Sequence, residues 1–163
     1  MSAADVLDQQ LRYLSIEPVF LEGLRKEYCS RPDDLEATFQ YALGLSRSSD
    51  TDHLKLSKDL LKSLLVRAGA AKYSRDSAFY LAQCNYREGQ FETARIYCED
   101  LVRAYPDNFQ IMTLHRAIVE RDKEKQELDR QAREDTITFG VIGAAGLALA
   151  IGLGNVFFGK PKK

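Results

Sequence analysis

Three cysteines, two histidines and a set of spaced glycines are the residues whose types could carry thiol, metal or phosphate chemistry in this chain. Cys29, Cys84 and Cys98 stand far apart and are odd in number, and neither His53 nor His115 lies near a Cys-x-x-Cys pair. That pattern predicts reduced packing thiols in a reducing compartment and no metal site. Gly140, Gly143 and Gly146 repeat regularly, but inside an apolar run where no phosphate could go. The chain holds no Gly-x-x-x-x-Gly-Lys-Ser/Thr loop and no Gly-x-Ser-x-Gly elbow, so it is read as a non-enzyme without cofactor. The chemistry left is that of binding, and it depends on how the chain is held.

The chain is held from its C-terminal end. From Ile137 to Phe158 no residue is charged, and only Thr138 and Asn155 carry polar side chains. As a helix that run is roughly 33 Å long, about the hydrocarbon thickness of a bilayer. It is read as a transmembrane anchor inserted after synthesis, leaving the N-terminal portion in the cytosol. Met1 to Ser15 carries Asp5 and Asp8 and no continuous apolar run, so it is not read as a secretory signal. Gly146, Ala150 and Gly154 fall four apart, a small-residue stripe that could bring two spans together as a homo-oligomer. Net charge is −1, and the three terminal lysines contribute +3 with no acid after Asp135, which leaves −4 before the anchor. Such a surface does not suit nucleic acid.

The remaining residues read as helices. Leu7, Leu11 and Leu14 share a face in an opening arm. Ser15 is the expected cap of a helix with Pro18 in its first turn, a Phe20, Leu24, Tyr28 stripe, and a stop at Arg31-Pro32. Further helices are expected from Asp33 or Asp34, through Leu54 to Ala68-Gly69, and from Ser74 or Asp76 to Gly89. Two more run from Phe91 to Pro106 and onward from Asp107 or Asn108. The charged stretch from Val119 to Asp135 is read as a solvated helical spacer.

Two helix pairs match a repeat. Leu81-Ala82, Tyr86, Gly89, Phe91, Ala94, Cys98, Leu101 and Pro106 follow the tetratricopeptide order, with small residues at the crossing and proline at the stop. Phe39-Gln40-Tyr41-Ala42 with Leu45 is a looser first copy. The reading is all-α: a six-helix tetratricopeptide-like bundle of two repeats with capping helices, plus one C-terminal transmembrane helix. Its parts are an N-terminal arm at 1–14, the helical domain at 15–118, the spacer at 119–135, the anchor at 136–159 and a basic tail at 160–163. In repeat geometry the first helices turn Phe39, Leu43 and Arg47, and Phe79, Gln83, Tyr86 and Arg87, toward a concave groove. Apolar groups ringed by arginine suit an amphipathic helix. Val6, Leu7 and Leu11 of the arm could occupy that groove at rest.

The blocks Phe39 to Ser48 and Phe79 to Arg87, with the glycine-rich anchor behind them, resemble the mitochondrial fission 1 family. The resemblance implies an outer-membrane adaptor for mitochondrial and peroxisomal fission that recruits a dynamin-related GTPase or its regulators. Lys160, Lys162 and Lys163 behind a short anchor suit those two membranes. The alternative from the same helices is a tail-anchored receptor for chaperones. Such a clamp needs Lys and Asn turned inward, where this chain has Phe39, Leu43 and Gln83.

Overall fold

A computed structural model describes residues 2–13, 15–67 and 71–157, with side chains described at 2–12, 15–67 and 71–134. Among these residues there are seven helices and no strand: α1 Ala3–Tyr13, α2 Pro18–Ser30, α3 Leu35–Ser46, α4 Thr51–Val66, α5 Ala71–Arg87, α6 Phe91–Ala104 and α7 Phe109–Phe157. The chain divides into one compact unit, Met1–Asp122, and a second, Lys123–Lys163.

Local chemistry sets most boundaries. Ser2 and Asp5 form a reciprocal cap on α1, each side chain accepting from the other's backbone amide at 3.1 and 3.0 Å. Asp34 caps α3 by accepting from Glu36 and Ala37, Asp50 caps α4 from Asp52, and Asn108 caps α7 from Ile111. Gly89, at φ +70°, ends α5. Its amide returns to the Tyr86 carbonyl and that of Gln90 to Asn85, the paired closure that a left-handed glycine permits.

Two expected starts are corrected. α2 begins at Pro18 with Glu17, not Ser15, at its N-cap position and no side-chain cap bond, because the residue before Pro18 is driven into extended backbone. α5 starts at Ala71, ahead of Ser74, because buried Tyr73 is held by the Phe39 ring and donates to Glu36 at 2.5 Å. Within α2 the inward side chains are Leu21, Leu24 and Tyr28. Tyr28 stacks on Tyr41 with ring centroids 5.2 Å apart, while Phe20 is 61% exposed.

Two cores share α5. One gathers Phe39 and Ala42 of α3, Leu61 and Leu64 of α4, and Tyr73 and Leu81 of α5. The other joins Ala82 and Tyr86 of α5 to Ala94, Cys98 and Leu101 of α6, Leu114 and Ile118 of α7, and Ala4 and Leu7 of α1. The opening segment is thus a helix packed into the bundle, through Ala4 and Leu7. Small residues set the α3–α4 crossing, where buried Ser57 donates to the Ala42 carbonyl at 2.8 Å. A mostly buried Lys58–Glu88 pair ties α4 to the turn after α5.

In the second unit, residues 123–134 are exposed, with an i,i+3 pair of Arg130 and Glu127 at 2.5 Å. Residues 119–122 are half-buried, so the solvated stretch begins at Lys123, four positions later than the sequence suggests. Among the residues with described side chains no helix is long and apolar enough to cross a membrane. The backbone is helical to Phe157, but the side chains of the expected anchor and its Gly146, Ala150, Gly154 stripe lie outside the described residues. So does the Lys160, Lys162, Lys163 tail.

Two predictions follow from this packing. Burial pushes the Cys84 thiol up to about 11, against a weaker opposite pull from Ser57, and pushes Cys98 up to about 12. Both lie above the ordinary 9.0, so their stabilising contribution is complete below that value and is lost as pH rises through 11 to 12. Iodoacetamide at pH 8 should therefore label only exposed Cys29 of the native protein, and all three thiols after denaturation, as read by intact mass. Glycine replacement should also discriminate between two sites. Gly23→Ala meets nothing within 4 Å and should stabilise by roughly 0.5–1 kcal/mol from helix propensity. Gly44→Ala would place its Cβ 2.7 Å from Leu24 Cδ1, and should end at least about 1 kcal/mol below Gly23→Ala in denaturant unfolding.

Candidate partner-binding groove

Helices α3 and α5 lie side by side, and their half-buried residues form a strip. From α3 come Gln40 and Leu43, and from α5 come Asp76, Phe79, Tyr80, Gln83 and Arg87, at spacings that repeat one helical face. Leu43 and Tyr80 both pack on the α3–α4–α5 core, Tyr80 meets Phe79 edge-on at 5.4 Å, and Phe39 lies beneath with its ring 6.3 Å from Tyr80. The strip is therefore an apolar floor with amide side chains along it.

Its ends differ in charge. Near the start of α3, Glu36 accepts from Tyr73 and from Gln40, and Lys72 stands 3.6 Å away. The Tyr73 hydroxyl first, and Gln40 next, hold the Glu36 carboxyl below its ordinary value. At the other end Arg47 caps α3 and is exposed. Arg87 donates to the carbonyls of Ser46 and of Ser48, the latter at 2.7 Å, and so fastens the end of α5 to the loop after α3.

The residues expected to line a groove are divided by the structure. Leu43, Phe79, Gln83 and Arg87 are half-buried and Arg47 is exposed, all available at the surface. Phe39 and Tyr86 are 8% and 4% exposed and belong to the two cores, which corrects the expectation that their side chains face a partner. Tyr86 is instead covered by α1, donating to Asp8 at 2.8 Å. Burial first, and then the bond to Asp8, raise the Tyr86 phenol well above its ordinary value, with Arg121 opposing.

A cleft of about 350 Å³ opens where α1 meets the α5–α6 turn and α7. Arg121 of α7 pairs with Asp8 at 2.6 Å and reaches Asp5 at 3.5 Å, and Glu120 accepts from the Ala4 amide at 2.9 Å. Sequence reasoning missed Asp8, Arg12 and Arg121 because single charges in an arm or a mixed-charge stretch look solvated. It also missed Tyr80, whose only signal was adjacency to Phe79. Among the described residues no group of three or more His, Cys, Asp or Glu could hold a metal ion.

A family model described as the Fis1 C-terminal tetratricopeptide repeat matches residues 75–127. The mitochondrial fission 1 protein of Bos taurus is 36% identical over 109 residues, 67% of this chain and 70% of that protein. That of Eremothecium gossypii is 32% identical over 132 residues, covering 79% and 83%. The crystal structure of Fis1 from Saccharomyces cerevisiae superposes with a TM-score of 0.67 at 24% identity, covering 72% of this chain and 94% of that one. Yeast Fis1 in complex with an Mdv1 fragment, containing an N-terminal extension and coiled coil, gives 0.66 at 24% identity over 71% and 94%.

The clasp on α1 can be tested. Asp8→Ala removes the acceptor of the buried Tyr86 hydroxyl and of Arg121, and should lower stability by about 1–3 kcal/mol. Amide exchange across residues 3–13 should accelerate in mass spectrometry while that of α3 and α4 holds.

Proposed function

The chain belongs to the mitochondrial fission 1 protein family, and from that premise we propose that it is a membrane-anchored adaptor whose α3–α5 strip grips a helical segment of another protein. The half-buried run of Leu43, Phe79, Tyr80 and Gln83 carries this reading. It offers apolar surface, amide groups for lateral hydrogen bonds, and arginine at one end, which suits an amphipathic helix. Leu43 and the aromatics are the expected anchors, because binding energy concentrates in apolar and aromatic groups that lose water on docking.

The partner proposed is a dynamin-related GTPase or one of its adaptors, at mitochondria and peroxisomes, with the helical unit facing the cytosol and the apolar C-terminal run in the bilayer. The yeast relative seen with an Mdv1 fragment supports an adaptor of coiled-coil type as the first protein to test. A chaperone-type clamp is less suited to this strip, because such a clamp needs Lys and Asn where the strip presents Leu43 and Gln83.

The test uses the full chain in nanodiscs against a purified dynamin-related GTPase and its coiled-coil adaptor. Leu43→Glu should weaken binding by at least about tenfold, with Gln83→Ala weaker by a few-fold, and helical circular dichroism should be unchanged. Cells carrying Leu43→Glu should show elongated mitochondria. Native-like affinity together with normal organelle division would end this reading.

A further inference from the structure

We propose that Ser49, in the connection between α3 and α4, is a site of phosphorylation by an acidophilic serine/threonine kinase, and that its phosphate is held by Arg47 and Arg87. The connection runs over residues 47–50, with Arg47, Ser49 and Asp50 exposed and Ser48 half-buried. A kinase takes its target hydroxyl from exposed, irregular backbone, and one with a basic groove selects carboxylates just after the target. Ser49 has Asp50 at the next position and Asp52 three positions on, and the Asp52 side chain is 84% exposed even with Lys55 at 3.0 Å. The neighbouring hydroxyls lack that pattern. Ser46 is buried, Ser48 is followed three positions on by Thr51, and Thr51 by Leu54. The Ser48 hydroxyl is also occupied, accepting from the Asp50 amide at 3.1 Å and lying 2.8 Å from His53 Nδ1.

The reaction is transfer of the γ-phosphoryl group of ATP to Ser49 Oγ. A P–O bond forms at that oxygen, the bond from the γ-phosphorus to the β–γ bridging oxygen breaks, ADP leaves, and the hydroxyl proton passes to the kinase's base. Two guanidiniums are in place for the product. The Cα atoms of Arg47 and Ser49 stand at most about 7 Å apart, a span that an arginine side chain closes. Arg87 already donates at 2.7 Å to the Ser48 carbonyl, whose carbon is bonded to the Ser49 nitrogen. Its other acceptor, the Ser46 carbonyl, is also neutral. Asp50 and Asp52 repel a phosphate, but Asp50 is tied to the Asp52 amide at 2.8 Å and Asp52 to Lys55.

Arg47 and Arg87 are also the cationic end of the strip proposed for the partner helix. A phosphoserine brings about −1.5 to −2 of charge, close to what two guanidiniums carry, so modification cancels that end. Partner affinity then falls for any helix that presents acid there. This consequence rests on the reading of the strip, whereas the phosphate and its two arginines do not.

The test treats the full chain in nanodiscs with a purified acidophilic kinase and ATP, mapping phosphate by tandem mass spectrometry and following arginine Nε–Hε resonances by NMR. Phosphate is expected on Ser49, absent in Ser49→Ala and several-fold slower to enter in Asp52→Asn. Arg47 and Arg87 should shift on modification while exposed Arg103 stays, and affinity for the coiled-coil adaptor should fall about tenfold. Phosphate entering Ser48 or Thr51 in place of Ser49, or resonances of Arg47 and Arg87 that stay still, would overturn the proposal. Leu43→Glu separates the two readings. If it abolishes adaptor binding while phosphorylation leaves that binding unchanged, control through Ser49 is refuted and the strip stands. If neither change touches binding, the strip reading fails, and the arginine resonances still decide the phosphate site.

Discussion

The bundle depends on α5 being buried on two sides at once. Leu81 and Ala82 are neighbours in sequence, both without exposed surface, yet each belongs to a different core. Neighbours on a helix point about 100° apart, so a helix enclosed this way must present a large residue to one partner and a small one to the next. Leu81 fills the space against α3 and α4, while Ala82 lets the other core close around Cys98 and Leu114. Asn85, also buried, meets the same constraint by turning its amide back to the Leu81 carbonyl at 2.7 Å, leaving Tyr86 to carry contact with α1.

That enclosure decides what is left for binding. Once the two buried faces of α5 are spent, the stripe running from Asp76 through Phe79, Tyr80 and Gln83 to Arg87 stays half-open. Its counterpart on α3 is narrowed in the same way, since α3 buries Tyr41 and Gly44 toward α2 and Ala42 and Leu45 in the interior, leaving Gln40, Leu43 and Arg47. The strip exists because two helices of a repeat stack are each packed on all sides but one. Arg87 couples this surface to structure by tying α5 to the loop after α3, so the polar end of the strip is held by the same bonds that close the repeat.

Much of this was legible beforehand. Asp34, Asn108 and Gly89 act where their types predict, because capping is a local matter between a side chain and amides two or three residues away. The repeat spacing also placed Ala42, Ala82, Ala94 and Cys98 at crossings. Phe39 and Tyr86 were expected to face a partner and are core, since periodicity reports which residues share a face but not which neighbour covers it. Tyr80 was passed over for a similar reason: of two adjacent aromatics, either can be the inner one.

The sequence by itself determined that the part before the apolar run is helical, where most helices begin and end, and that it belongs to a two-repeat stack. Those properties rest on interactions within a turn or on a pattern of apolar residues, both of which are written in order along the chain. Only the tertiary structure decided that the opening segment is a bundle helix, that Asp8 meets Tyr86 and Arg121, and that the compact unit runs on to Asp122. These contacts join residues more than seventy positions apart, and a charged side chain carries no local mark of the distant partner that will desolvate it.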